Sequence, residues 1–344
     1  MKTDSETLCR GYHAQNRRKM VLLLLIFILL LAMIATGLSV GASSVGPVDA
    51  LRSLFKDTGR AHSIVWLLRM PRVVMAMLVG FGLGVAGSVF QAILKNPLAS
   101  PFTLGIGSGA GFGAVLVIIF LGGSLYPQMI AGSAFVFSLF SAFLILGVAK
   151  MKRASSETMI LTGIAQMFLF SALSAFFQYM GTMDQVYEIT FWHFGSLAKA
   201  GWREIGFAAA MILLPFPFLM RRAWDFNLLA TGDESALALG VEVERLRMWG
   251  VTAASFMTAG CICFTGVIGF VGLVAPHIVR MAIGNDHRLL LPASGLSGAL
   301  LVLTADVLAN TVWAPHVIPI GIMTSFIGVP FFFYLLMRRT REYW

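Results

Sequence analysis

The sequence predicts an all-α, polytopic membrane protein with about ten transmembrane helices. Of its 344 residues, 58% are hydrophobic and only 12% are charged, against about 25% charged in an average soluble protein. Its mean hydropathy is +0.84. Apolar stretches long enough to cross a bilayer, which takes about 20 helical residues, recur along the chain. Because lipid offers backbone groups no partner and barrel-like alternation is missing from the sequence, helices are the predicted spanning structure.

The apolar stretches predict ten spans in one integral-membrane domain that covers residues 1–344. Their approximate cores are 21–40, 73–93, 111–125, 129–149, 159–180, 205–220, 248–265, 267–283, 289–308 and 317–337. The first span follows three basic residues, as a signal peptide would. Its apolar core of about 20 residues exceeds the usual 7 to 15, so an uncleaved helix is favoured.

Basic residues predict the orientation. If residues 1–19 are a cytoplasmic segment, the inner segments hold 18 of the 25 lysines and arginines, and seven lie outside. By the positive-inside rule, both termini are therefore cytoplasmic. The same bias accounts for the net charge of +9 and predicts no nucleic-acid partner.

Polar connections interrupt the apolar pattern at three places. Residues 41–72 and 181–204 are predicted outside, the second with the mixture of aromatic and charged residues of an interfacial helix. Residues 221–247 are predicted inside and are the most polar part of the chain.

A short capped helix is predicted within the inner connection, in TGDESALALG. Thr231 or Asp233 can accept hydrogen bonds from its first N–H groups, and Gly240 ends it. Ala236, Leu237 and Leu239 are then available on its surface to dock a soluble partner. An ordinary surface helix is the alternative.

Catalytic and nucleotide motifs are missing from the sequence or misplaced in it. A GxGxxG match at Gly82, Gly84 and Gly87 lies inside a predicted span, whereas a dinucleotide site needs a preceding strand. The sequence has no GxxxxGK[ST], no HExxH and no recognisable triad. We therefore expect neither an enzyme nor a metal site. Asp306 is the clearest ionisable group within a span, and this scarcity argues against a secondary transporter.

Small residues recur every fourth position in two predicted helices, which lets helix backbones approach closely. They are Gly80, Gly84 and Ser88, and Gly105, Gly109 and Gly113.

Five motifs, in order, resemble the permease subunits of iron-siderophore, haem and vitamin B12 importers, which form the FecCD family of type II ABC importers. They are RMPRVVMAMLVGFGLGVAGSVFQAILKNPLASPFTLGIGSGAG, FWHFGSLAKAGWRE, LLATGDESALALGVEVERLR, GFVGLVAPHIVRMAIGNDHRLLLPASGLSGALLVLTAD and IPIGIMTSFIGVPFFFYLL. The resemblance runs from about residue 20 to 340. It implies two ten-helix permease chains around a pathway, two ATPase subunits inside and a substrate-binding protein outside.

The resemblance also implies roles for particular residues. Arg69 and Arg72 in RMPR match an arginine pair that binds acidic residues of the binding protein; exposed opposite charges steer such docking. Relatives with ADxxAR have a further docking arginine, but ADVLAN places Asn310 there, and that role is not carried over.

The inner connection, 221–247, resembles the family's coupling helices, which contact the ATPase. On that resemblance the contact is shaped by Leu229, Gly232, Ala236, Leu239 and Gly240. KRASSETM matches the segment that narrows the inner mouth, which makes Ser156 and Glu157 gate candidates. A loop glutamate that balances Lys152 and Arg153 is the alternative for Glu157.

Structural roles are expected for five motif residues: Asn96, Pro97, Pro276, His277 and Asp306. In GVIGFVGLVAPHIVRMAIGNDHR, Pro276 is predicted to bend its helix or break its hydrogen bonding. Four polar residues near the end of this stretch are expected to reach water and the ATPase at the inner end: Arg280, Asp286, His287 and Arg288.

The resemblance therefore predicts the permease of an ATP-driven ferric-siderophore importer in the cytoplasmic (inner) membrane of a prokaryote. Haem or cobalamin is the alternative cargo within the same architecture. We expect the chain to bind no cofactor covalently, ATP and Mg²⁺ to be used by the ATPase subunits, and a homodimer, with a heterodimer as the alternative.

Overall fold

The structure is a computed structural model that describes residues 2–40, 46–53, 59–151 and 156–337, and these residues form helices joined by turns. The helices are α1 (Lys2–Ser39), α2 (Pro47–Arg52), α3 (Arg60–Ile64), α4 (Met70–Leu94), α5 (Ile106–Leu121), α6 (Pro127–Met151), α7 (Ser156–Met180), α8 (Met183–Phe194), α9 (Trp202–Leu213), α10 (Pro215–Arg221), α11 (Ala223–Leu229), α12 (Asp233–Ala238), α13 (Val243–Thr265), α14 (Val271–Ile283), α15 (His287–Thr311) and α16 (Ile320–Met337). A π-helical segment, Val65–Arg69, joins α3 to α4.

Within the described ranges, seven helices are long and apolar enough to cross a membrane, and three shorter apolar helices accompany them. The shorter ones are α5, α14 and the Ile320–Tyr334 part of α16. Together they correspond to the ten predicted spans, so the all-α prediction is confirmed. The third span begins earlier than predicted, at Ile106, because Gly105 before it adopts a left-handed φ of 71° and starts the helix there.

Among the seven long spans of the described residues, the one that contains α4 has the largest buried share, and α4 packs against α15 backbone to backbone. A Cβ atom at Gly84 would collide with the carbonyl oxygen of Ser294, and one at Gly80 would collide with that of Gly298. The close approach predicted from the glycine spacing is therefore present along α4. Any larger residue at these two positions would push the two helices apart.

A network of hydrogen bonds holds α7 against α5 and α6 inside the bundle. The Gln166 amide of α7 donates to the Leu104 carbonyl at 2.6 Å and to the Ser141 hydroxyl at 2.7 Å. Ser141, on α6, donates in turn to the Gly105 carbonyl at 3.0 Å. Because a polar group in a membrane interior is costly unless bonded, these contacts hold one face of α7 in place.

The opposite face of α7 lies on the surface of the chain. It exposes large apolar side chains such as Leu161, Phe168 and Phe176. Helix α16 likewise exposes Phe326 and Phe333. These faces are available to lipid or to another chain.

The two ends of the bundle differ in charge. One end, called the basic end below, carries Lys95, Lys150, Arg221, Arg222, Arg245, Arg247, Arg280 and Arg288. The other, called the far end, carries α8, the beginning of α4 and the last turns of α15. The inner connection predicted at 221–247 lies at the basic end.

Candidate functional site

The coupling segment at the basic end consists of α11, α12 and the turns around them. Helix α12 ends as predicted at Gly240, which adopts a φ of 88°. The Gly240 N–H donates to the Leu237 carbonyl, and the Val241 N–H donates to the Ala236 carbonyl, each at 3.0 Å. This paired hydrogen bonding is the usual glycine-terminated helix end, and it turns the chain into α13.

The predicted cap at the start of α12 is wrong. Gly232 is the residue before the helix, with a φ of 119°, and no side chain caps the first turn. The Thr231 hydroxyl donates backwards to the Leu228 carbonyl at 2.8 Å. The Asp233 carboxylate binds cations instead of the first N–H groups of α12. The sequence position of Asp233 alone does not reveal these cation contacts.

The coupling segment has one buried and one exposed side. Leu229 and Ala236 are fully buried against the rest of the bundle. Leu237 and Leu239 are 59% and 63% exposed. The expectation that Ala236 is available on the surface is therefore wrong, because its small side chain lets α12 lie flat on the bundle. Leu237 and Leu239 are exposed as predicted.

Asp233 joins α12 to two spans. Its carboxylate receives hydrogen bonds from Lys95 Nζ at 2.5 Å and from Arg247 at 2.9 and 3.0 Å. Partial burial raises the pKa of Asp233, but the Lys95 and Arg247 cations outweigh it and the pKa is lowered overall. The carboxylate is therefore ionised at neutral pH and connects α12 to the end of α4 and the start of α13.

Arg247 also reaches the gate candidate. Its side chain is 6% exposed, and its guanidinium donates to the Ser156 hydroxyl, 3.3 Å away at the start of α7. Ser156 donates to the Ile93 carbonyl of α4 at 3.4 Å. Glu157 points outward and is exposed, and the basic residues expected to balance it, at 152 and 153, lie outside the described residues. The coupling segment and the start of α7 therefore share one arginine.

A second contact joins the coupling segment to α15. The Asn227 amide donates to Asp286 at 2.9 Å, and its oxygen accepts from the His287 N–H and contacts Nδ1, each at 2.8 Å. The Arg288 hydrogen bond is the main cause that lowers the pKa of Asp286 to about 2, helped by Asn227 against some desolvation. Asn227 therefore connects α11 to the N-terminus of α15.

The inner end of the GVIGFVGLVAPHIVRMAIGNDHR stretch is less open than predicted. Arg280 is 7% and His287 is 1% exposed, so the expectation that these two reach water is wrong. Arg280 donates to Asn285 at 3.0 Å, inside the turn between α14 and α15. Arg288 is exposed and stacks over Trp224 at 4.2 Å. His287 packs beside Phe226 of α11, and Arg280 is enclosed by the turn between α14 and α15.

The remaining structural candidates lie in turns or inside helices. Helix α14 continues through Pro276, with the half-buried His277 beside it. After α4, Lys95 adopts a left-handed φ of 49°. Asn96 Oδ1 accepts from the Leu98 N–H at 2.9 Å, which forms a tight turn around Pro97. That turn sets the position from which Lys95 reaches Asp233.

The predicted docking arginines lie at the far end, where both bind within the chain. Arg69 donates to the Leu38 and Ser39 carbonyls at 2.7 and 3.0 Å and is 7% exposed. Arg72 forms a bidentate pair with Asp306, at 2.8 to 3.0 Å. The Arg72 side chain is 21% exposed and that of Asp306 is 5% exposed.

Asn310 belongs to the same far-end cluster. Its amide donates to the Asp306 backbone oxygen at 2.6 Å and lies 3.5 Å from the carboxylate. The residue that departs from the family's pattern therefore packs beside the ion pair.

Three residues of the basic end escape reasoning from the sequence: Lys95, Asn227 and Arg247. In the sequence they are simply basic or polar residues of the predicted inner segments. Asp233 lies 14 positions from Arg247 and 138 positions from Lys95 in the sequence, and Asp286 lies 59 positions from Asn227. Only the packing of distant helices brings these groups together.

The fold, with seven long and three shorter apolar helices in the described residues, is that of a polytopic membrane protein. The FecCD transport family model matches residues 24–338, so the chain belongs to the FecCD transport family. It is thus the permease of a type II ABC importer of the kind that carries metal chelates, haem or vitamin B12. That architecture implies a second permease and separate ATPase partners.

Similar proteins cover nearly the whole chain. A putative ABC transporter permease of Methanocaldococcus jannaschii is 44% identical over 301 residues, which are 85% of this chain and 86% of that one. The hemin transport system permease HmuU of Yersinia pestis is 36% identical over 329 residues, 93% and 97% of the two chains. A solved inward-facing structure of a putative metal-chelate type ABC transporter superposes with a TM-score of 0.80 at 32% identity, covering 92% and 98%.

Proposed function

We propose that the chain is the permease of an ATP-driven importer for a ferric siderophore. The observation that supports the importer role best is the coupling segment, whose buried side is connected to α4, α13 and α15 and whose outer side presents Leu237 and Leu239. A segment held in this way can transmit a movement of an ATPase to several spans at once. The metal-chelate and hemin relatives favour an iron-containing cargo.

Orientation and assembly are part of the same proposal. The chain lies in the inner membrane of a prokaryote, and its basic end and both of its termini face the cytoplasm. Two copies of the chain form the pathway, and each coupling segment rests on one of two ATPase subunits, which use ATP and Mg²⁺. Leu229, Gly232, Ala236 and Gly240 shape the segment, and Leu239 contacts the ATPase.

Transport then follows from a change in the contacts at the basic end. Closure of the ATPase dimer on ATP moves α12, and Arg247 carries that displacement to Ser156, at the inner mouth beside Glu157. Each bound state must stabilise one conformation of the pathway over the other for the cycle to have a direction. The chain itself supplies no bond chemistry.

Arg69 and Arg72 mark the docking face for the substrate-binding protein. The part of Arg72 that remains exposed lets the cation act on an acidic partner while Asp306 holds its side chain in place. Electrostatic attraction of this kind governs the association rate and weakens with salt.

Uptake by the reconstituted transporter tests the proposed cargo. The chain, its ATPase and its binding protein are placed in proteoliposomes with ATP inside, and four probes are compared: a ⁵⁵Fe-labelled ferric trihydroxamate, ⁵⁵Fe-citrate, haemin and cobalamin. We expect ATP-dependent accumulation of a ferric chelate. Accumulation of haemin or cobalamin alone would assign the alternative cargo, and uptake driven by an ion gradient without the ATPase would refute the importer.

A further inference from the structure

A cavity of about 260 Å³ lies between α5, α7 and α8, toward the far end of the bundle. Five of its nine lining residues have polar side chains. The polar side chains are Ser108, Ser171, Ser174, Gln178 and His193. The cavity is separate from the coupling segment and from the Arg72–Asp306 pair, and no motif assigns it a role.

Helix periodicity brings three of these side chains together. Ser171, Ser174 and Gln178 follow one another at intervals of three and four residues on α7, which places them on one face. Gln166 lies nearer the start of α7 and fixes the rotation of this helix about its axis, because its amide donates to Leu104 and Ser141. A rotation of α7 that moved this polar face would therefore break the Gln166 hydrogen bonds.

His193 enters the same cavity from α8. A Cβ atom at Gly111 of α5 would collide with the His193 ring, so only a glycine at that position leaves room for the imidazole. Burial lowers the pKa of His193 below its usual 6.5, which keeps the ring neutral at neutral pH. The cavity thus offers hydroxyl, amide and imidazole groups without a fixed charge.

The hydrogen-bonding capacity of this lining is unused. Among the residues that the structure describes, none of the five side chains makes a hydrogen bond to another protein group. Gln166 on the same helix is bonded at both 2.6 and 2.7 Å. Because unbonded polar groups are costly in a membrane protein's interior, such a cluster is expected to face water or a polar ligand.

We propose that this cavity borders the path of the cargo and contacts its oxygen-bearing groups, an inference that rests on the proposed importer function. Hydroxyl and amide donors suit hydroxamate, carboxylate or catecholate oxygens. The volume is below the roughly 300 to 1,000 Å³ of ordinary small-molecule pockets, so the site receives one arm of a chelate. Neutral contacts of this kind guide a cargo and still release it, which transport requires.

The test uses the complete transporter in proteoliposomes and the probe that the wild type accumulates best. The triple variant Ser171→Ala, Ser174→Ala, Gln178→Leu removes the polar face of α7. We expect its uptake at low probe concentration to fall about tenfold, the effect of losing one or two hydrogen bonds, while ATPase activity without probe stays unchanged. Gln128→Leu, at an exposed position at the start of α6, is the matched control and should leave both rates unaltered.

A second measurement does not depend on turnover. Gln178→Cys introduces a thiol into the cavity, and we expect a water-soluble methanethiosulfonate reagent to modify it, with protection when probe-loaded binding protein and ATP are present. The substitution is made in a Cys9→Ser background, because the reagent would also modify an accessible Cys9, whereas Cys261 and Cys263 are buried. This single substitution also replaces the triple variant if the latter does not purify as an intact complex.

The outcomes separate the two proposals. A wild-type complex that accumulates no ferric chelate among the four probes refutes the proposed ferric-siderophore cargo, on which the contact site rests. Normal uptake by the cavity variants, or a cysteine at 178 that is never modified or never protected, overturns the contact site while leaving the importer intact. A loss of basal ATPase activity equal to the loss of uptake would show a structural role and would likewise overturn it.

Discussion

The two ends of the bundle use charge in opposite ways. At the far end, the Arg72–Asp306 pair lies within the bundle, with Asp306 5% exposed. At the basic end, Asp233 is 41% exposed and is shared between Lys95 and Arg247. The far end therefore concentrates its electrostatic interaction in one enclosed pair. The basic end distributes it over several spans, which suits a segment that has to move.

Breaking the far-end pair should produce the largest effect. Removing one partner of a buried ion pair costs about 3 to 5 kcal/mol, because the other charge is left without compensation. We expect Arg72→Gln to lower the thermal unfolding temperature of the purified chain in detergent strongly. The double variant Arg72→Gln, Asp306→Asn should recover most of that loss, since neither charge then remains.

The same pair of variants separates packing from docking. If Arg72 binds the substrate-binding protein, the double variant should remain poor at binding-protein-stimulated ATPase activity although its stability has returned. Asp306→Asn alone should retain stimulation and its decline with salt. Full stimulation in the double variant would show that Arg72 is structural only.

At the basic end, two leucines on opposite sides of the coupling segment sharpen the comparison. Leu229 is fully buried, and replacing such a leucine with alanine costs about 2 to 5 kcal/mol. Leu239 is 63% exposed, so Leu239→Ala should leave stability within about 0.5 kcal/mol. We expect Leu239→Ala nevertheless to reduce the amount of ATPase that co-purifies with the chain.

Equal ATPase recovery with Leu239→Ala and with the wild type would exclude Leu239 from the contact. Leu237→Ala is the companion variant, because Leu237 is exposed to a similar degree, 59%.

Asp233→Asn tests the connection through Arg247. A hydrogen bond to a charged group contributes about 1.5 to 3 kcal/mol, and the partial exposure of Asp233 reduces that to about 1 to 2 kcal/mol. We expect a modest loss of stability but a clear loss of coupling, measured as probe transported per ATP hydrolysed. Glu242→Gln is the control, because its pair with Arg245 is 64 to 68% exposed and contributes little.

Unchanged coupling in Asp233→Asn would mean that Arg247 does not transmit motion to Ser156. A parallel loss in Glu242→Gln would point to general electrostatics of the basic end.

The sequence was most informative where periodicity or a backbone requirement decides the structure. Hydropathy predicted the ten spans, because each span is a continuous apolar stretch. Gly240 predicted the end of α12, because that end depends only on the local backbone. Sequence reasoning failed at Ala236, Arg280 and His287, all of which are buried. Burial at these positions depends on the packing of distant helices, and no local pattern encodes it. The polar face of α7 is periodic in the sequence, yet its significance depends on Gly111 and His193.

The smallest predicted effect concerns the pH dependence of the Asp286 contact. The Arg288 and Asn227 hydrogen bonds lower the pKa of Asp286 from 3.8 to about 2, so the folded state favours the ionised form. The stabilisation is therefore fully present above about pH 4 and is lost as the pH falls toward 2. Solvent screening limits it to about 1 kcal/mol. We expect the difference in unfolding temperature between the wild type and Asp286→Asn to be constant from pH 8 to pH 5 and to shrink only below about pH 4. A difference that changes between pH 6 and 7 would instead implicate a histidine in this contact.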